Sequence, residues 1–94
     1  MKKALSFLGI LNRGGRLVFG PAIENALGRL SLLIVANDAA GKDKMSVKAQ
    51  NRGVPTLSQY GKEELGQALG YDELSYVGIL GKKEAKAFLE KAKE

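Results

Sequence analysis

The stretch Asn12-Arg13-Gly14-Gly15-Arg16 sets two glycines between two guanidiniums, a combination that brings backbone close to a phosphate while arginine pairs with it. The same residues also read as plain punctuation, with Gly14 stopping a helix, Gly15 making the turn and both arginines in solvent. Lys44, Lys48 and Arg52 recur at i, i+4 and i+8, so on a helix they share one face, which Lys42 extends. That stripe is either a set of phosphate contacts or a solvated surface. Asp38 follows an apolar run as a phospho-acceptor aspartate would, but Asp43 is the one other acid close to it. A turn or helix N-cap role suits Asp38 better. Glu63-Glu64 fit the first turn of a helix by dipole logic and are not a spaced acid and base. Tyr60, Tyr71 and Tyr76 offer either stacking on bases or half-buried packing with a wet hydroxyl, and the second suits residues that flank element ends.

What is missing limits the chemistry further. The 94 residues contain no cysteine and no histidine, which excludes disulfides, thiolate and imidazole catalysis and the common zinc sites together. No Gly-Lys-Ser/Thr follows a glycine loop, and no Gly-x-Gly-x-x-Gly follows a strand. We expect no enzyme, no catalytic residues, no metal, no cofactor and no small-molecule substrate. Met1-Lys2-Lys3 leads into a short amphipathic segment without a small-residue cleavage site, and no apolar run approaches the roughly 20 residues of a membrane span. A cytoplasmic protein with no membrane contact is expected.

The formal charge is +5, from 15 basic against 10 acidic residues. Residues 1–52 hold nine basic and three acidic residues, whereas residues 53–94 hold six and seven. The positive field therefore belongs to the first half, where an anionic partner would dock.

The elements that must position these groups follow from periodicity. Residues 3–12 are apolar at Leu5, Leu8 and Leu11, a helical spacing. A short strand over 16–19 precedes a helix from Pro21 to about Leu30, with proline preset at its first position. Leu32-Leu33-Ile34-Val35-Ala36 is a continuous apolar run suited to a central strand buried on both faces. A helix over 41–52, a short edge strand over 55–58, a helix over 62–69 stopped by Gly70, a strand over 75–80 and a helix over 82–93 complete the chain. One domain over residues 1–94 is expected, an α/β three-layer α-β-α sandwich with a sheet of about four strands.

Two segments carry a resemblance. Leu8-Gly9 through Arg13, Gly15, Leu17-Val18 and Gly20 spells Leu-Gly-x-x-x-Arg-x-Gly-x-Leu-Val-x-Gly, and Val54-Pro55 precedes Leu65-Gly66-x-Ala68-x-Gly70. The chain resembles the small RNA-binding ribosomal proteins of the L-seven-Ae and L-thirty-e group, most of all their bacterial YlxQ-like branch, from about Leu5 to the final helix. The resemblance implies a mixed four-stranded sheet and binding of kink-turn RNA. In the kink-turn binders, Asn and Glu in a Gly-x-Asn-Glu helix start bond guanine edges of tandem sheared G·A pairs, with a lysine three residues later. Aligned on Gly20, this chain has Ala22, Ile23 and Ala26 at those places. Alkyl groups make no such bonds, and each good bidentate base contact is worth about 1–3 kcal/mol of discrimination. The second contact segment, usually small and apolar, here carries Tyr71, Asp72 and Glu73.

The resemblance thus implies a ribosomal-protein-like partner of structured RNA, of kink-turn type or in rRNA and the ribosome, with weakened or altered base specificity. Arg16, Lys42, Lys44 and Lys48 would hold phosphates, Gly20 and Pro21 would open the helix that docks, Ala22 and Ile23 would stand at the base-reading places, and Leu65 and Gly66 would shape the neighbouring wall. The alternative is a protein-interaction module on the same fold, docking a protein partner on an apolar surface of Pro21, Ala22 and Ile23.

Overall fold

Among the described residues, four short strands and five helices alternate along the chain, as the periodicity requires. The computed structural model describes residues 3–20 and 22–93. Helix α1 (Lys3–Arg13) leads through a tight turn to strand β1 (Leu17–Phe19), and helix α2 (Ala22–Ala26) continues into a 3-10 turn (Leu27–Arg29). Strand β2 (Leu32–Val35), helix α3 (Lys42–Asn51), strand β3 (Thr56–Leu57), helix α4 (Lys62–Leu69), strand β4 (Tyr76–Ile79) and helix α5 (Lys82–Ala92) follow.

The sheet order is β1-β4-β2-β3, with β4 antiparallel to both neighbours and β2 parallel to β3. The sheet is therefore mixed, and β2 is interior and buried at every position. Alternation along β2 explains its all-apolar sequence. Leu32 and Ile34 join Val77 and Ile79 under α1, α4 and α5, with Leu8, Leu65 and Phe88 at the centre of that layer. Leu33 and Val35 point the other way, toward Ile23, Ala26 and Leu27 and toward Ala49 of α3. Helices thus cover both faces. Burying a side chain such as Leu, Ile or Phe contributes about 1.5–3 kcal/mol, so these two layers hold the sheet.

Gly78 shows how closely the second layer packs, since a Cβ there would stand 2.6 Å from the methyls of Leu30. Edge strand β3 begins just past Pro55, whose carbonyl accepts from Leu33 N at 2.9 Å. Proline serves here because only its oxygen is needed.

The helix expected from Pro21 to Leu30 is shorter than its apolar spacing suggests. It spans five residues, then tightens at Leu27–Arg29 and gives way to extended backbone at Leu30 (φ −74°, ψ 144°). Gly28 is a poor helix former, and the chain must turn at once into β2. Pro21, the expected first helical residue, lies outside the described residues.

Asp38 has a capping role across the fold rather than within its own segment. Its Oδ1 accepts from the backbone N of Lys62 at 2.9 Å, while Glu64 accepts from Gly61 N at 3.0 Å. Together they satisfy orphan donors at the start of α4. Among the described residues, no group of three or more Asp and Glu could hold a metal ion, and no helix is long and apolar enough to cross a membrane.

Candidate functional site

The strands deliver Phe19, Val35 and Tyr76 to one end of the sheet, as the pairings Phe19↔Val77 and Val35↔Tyr76 require. An open groove of about 540 Å³ lies there, lined by Gly20, Glu24, Met45 and the segment from Glu73 to Tyr76. A shallower depression of about 260 Å³ continues it along α3, adding Gly41, Lys44 and Lys48. A third, of about 310 Å³, lies between Glu24, Leu27, Lys48, Asn51 and Arg52. Glu24 lines all three.

Each wall has a local cause. Met45 and Ala49 anchor α3 on the sheet, which turns Lys44 and Lys48 toward α2. Tyr76 is half-buried, and its hydroxyl donates to the carbonyl of Ala40 at 2.8 Å, tying the start of α3 to β4. Gly20 has φ +76°, which favours glycine, although a Cβ there would meet nothing within 4 Å. Backbone conformation, not crowding, asks for glycine at this lip.

The electrostatics are mixed. Lys48 Nζ lies 3.3 Å from Glu24 Oε1, and Lys62 Nζ lies 3.8 Å from Glu73 Oε2. Lys44 makes no ion pair among the described residues. Tyr71 is 49% exposed and stands edge-on to Phe19, with centroids 5.4 Å apart, beside the Gly20 lip. The other tyrosines pack: Tyr60 is in the core against Phe88.

Of the residues expected to form one site, Gly20, Lys44 and Lys48 come together here and Ala22 is exposed nearby. Lys42 is exposed but turns to the opposite flank of α3, where its ammonium donates to the carbonyl of Asn37 at 2.8 Å. Arg16 is not part of the groove. It precedes β1 at the far end of the sheet, about 13 Å of strand from Gly20, and pairs with Glu84 at 3.5 Å.

Ile23 is 1% exposed and belongs to the core beneath α2, so it offers no surface to RNA or to a protein partner. The apolar dock of Pro21, Ala22 and Ile23 is corrected accordingly. Leu65, 0% exposed, cannot touch a ligand either. Gly66 is buried because Glu73 crosses it, with a Cβ reaching within 2.7 Å of the Glu73 backbone. Gly66 thus lies beneath the crossing of Asp72 and Glu73, while Leu65 belongs to the core.

Glu24 and Asn25 are out of register with the base-reading places and point elsewhere on the helix by sequence; the structure turns Glu24 toward α3. The signal lay in the complementary charge of Lys48, 24 positions away, which only the packing of α2 against α3 brings close. Met45 was missed because only the packing of α3 on the sheet sets its face, whereas Glu73 stood in the second contact segment the resemblance implied.

No protein-family model matches the chain, and no curated protein matches it. Among solved structures it is similar to a protein of unknown function from Bacillus halodurans C, at 25% identity and a TM-score of 0.90, with 100% of both chains covered. It is also similar to the Giardia lamblia 15.5kD RNA-binding protein, at 19% identity and a TM-score of 0.71, over 95% of this chain and 81% of that one. The fold is the one expected from the sequence, that of the L-seven-Ae group, with its mixed four-stranded sheet and five helices.

Proposed function

We propose that this chain binds structured RNA through the groove between α2, α3 and the 73–76 segment, chiefly by phosphate contacts and with weakened base specificity. The observation that carries this reading is the placement of Lys44 and Lys48, one helical turn apart, along the wall of an open groove that starts at Gly20. The shared fold with an RNA-binding protein supports it. Base reading is curtailed because position 23 faces the core, Ala26 is buried as well, and Ala22 presents only a methyl. Phosphate contacts position an RNA without specifying its sequence.

The notion extends to a small cytoplasmic, ribosome-associated binding protein of the YlxQ-like branch, acting on rRNA or a kink-turn rather than as an enzyme. A labelled kink-turn RNA and a control with its G·A pairs disrupted, titrated at low and moderate salt, test this reading. Equal, salt-sensitive binding to both, weakened by Lys44→Gln with Lys48→Gln, is expected. Tight binding to the kink-turn alone would overturn the account of Ala22 and Ile23. Absence of binding even at low salt would overturn the RNA reading and favour a protein partner.

A further inference from the structure

All four arginines of the chain, Arg13, Arg16, Arg29 and Arg52, lie at one end of the sheet, the end opposite the groove. Their sequence positions give no hint of this, and three backbone bonds establish it. Leu80 N donates to the Arg16 carbonyl at 2.8 Å, Ser31 N to Ile79 at 2.8 Å, and Leu33 N to Pro55 at 2.9 Å. The connections α1 to β1, α2 to β2, α3 to β3 and β4 to α5 therefore emerge side by side. Arg13 and Arg16 flank the first, Arg29 precedes the second, Arg52 opens the third, and Lys82 and Lys83 follow the fourth.

All six of these cations are exposed. The acid beside them is Glu84, whose side chain folds back over Gly81 and pairs with Arg16 at 3.5 Å. Arg13, Arg29 and Arg52 make no ion pair among the described residues. Arg52 instead lies over Gly28, where a Cβ would stand 3.2 Å from its Nη1. The missing side chain at Gly28 leaves room for that guanidinium against the 3-10 turn.

From these placements we infer a second RNA-docking surface at the arginine end, which holds the phosphate backbone of a helical stem. The inference takes from the proposed function only that the ligand is RNA; Arg52 also borders the depression between α2 and α3, and the residues changed in its test line neither that depression nor the groove. Guanidiniums pair with phosphate in a planar, bidentate way that ammonium groups do not match. Four strand ends about 4.8 Å apart spread the charges over roughly 14 Å, wide enough for several successive phosphates. Of the large exposed apolar side chains, Ile10 borders this end, one helical turn before Arg13. Membrane insertion needs a continuous apolar face, which a single isoleucine among four guanidiniums does not supply, so the composition favours a nucleic-acid backbone. Lys48 lies on α3 between the groove and Arg52, so one RNA could reach both surfaces along α3.

The test uses a plain RNA duplex without loops and the variant Arg13→Gln, Arg29→Gln, Lys83→Gln, all three sites being exposed. Each phosphate contact contributes about 0.9 to the slope of log affinity against log salt. Losing three lowers that slope by about 2.7, so raising salt from about 50 to 200 mM should cost the wild type about 40-fold more affinity than the variant. The same fall in slope should appear when the three substitutions are made in the Lys44→Gln, Lys48→Gln background, because the two surfaces contribute separate contacts. Duplex binding that the arginine-end variant leaves unchanged, while the Lys44 and Lys48 variant abolishes it, overturns the second surface and leaves the groove standing. Loss on the arginine-end variant alone supports the second surface even where the groove fails. Binding to vesicles of phosphatidylglycerol and phosphatidylcholine with no binding to duplex would overturn the RNA assignment of this end. Thermal unfolding of each variant by circular dichroism confirms that the fold is retained.

Discussion

Glu24→Gln should tighten RNA binding, because the carboxylate beside Lys48 competes for that ammonium and repels a phosphate that approaches it. Glu24 Oε1 lies 3.3 Å from Lys48 Nζ, and the two side chains are 61% and 43% exposed. A phosphate on the far side of that ammonium, about 4 Å from it, would sit about 7 Å from the carboxylate. Repulsion between two unit charges at that distance is about 0.6 kcal/mol in bulk water and about 2.4 kcal/mol at an effective dielectric of about 20. Screening at physiological ionic strength, with a Debye length of about 8 Å, reduces this to about 0.2–1 kcal/mol. The variant should therefore bind about 1.5- to 5-fold more tightly, and the gain should vanish near 1 M salt. Glutamine keeps the volume, and an ion pair this exposed contributes at most about 1 kcal/mol to stability. Fluorescence anisotropy with the kink-turn RNA and its disrupted control, at two salt concentrations, measures the effect. Unchanged affinity would mean that RNA does not pass this groove. Weaker binding would mean that Glu24 itself accepts hydrogen bonds from RNA, and either result refutes the competition argument.

Two further outcomes test the fold beneath the site. Ile23→Ala should lower stability by about 2–5 kcal/mol in urea unfolding, as removal of a fully buried side chain does. Ile23→Glu should cost at least as much without improving discrimination between the two RNAs, and a stable variant that gains discrimination would show that position 23 reaches solvent. Asp38→Ala should cost about 0.5–2 kcal/mol through the lost cap on α4 while leaving RNA affinity unchanged, and Asp38→Asn should recover most of the loss because it can still accept from Lys62 N. Equal stability of wild type and Asp38→Ala would show that water caps that helix as well.

The elements were legible in the chain because each follows a local rule. Apolar spacing marked α1, Gly70 marked the end of α4, and the unbroken run Leu32 to Ala36 marked an interior strand, since a strand covered on both faces needs no polar side. Helix α2 was overread because Ile23, Ala26, Leu27 and Leu30 keep a helical spacing even where Gly28 and the turn into β2 tighten the backbone. Whether an apolar residue at such a position faces inward or outward depends on what lies beneath it, which is why Ile23 stood as a surface candidate until the sheet was placed.

The sequence by itself determined the order of helices and strands, the absence of thiol and imidazole chemistry, the excess of cations in the first half and the apolar residues at positions 22 and 23. These are properties of composition and of spacing over fewer than about ten residues. Tertiary structure alone decided which charges act together. It divided the basic residues of the first half between two ends of the sheet, setting Lys44 and Lys48 against Glu24 and gathering Arg13, Arg16, Arg29 and Arg52 with Lys82 and Lys83. The reason is strand direction: each strand carries the chain from one end of the sheet to the other, and helices α2 and α3 carry it back. Residues far apart in sequence then share an end, while Arg16 and Gly20, four positions apart, do not.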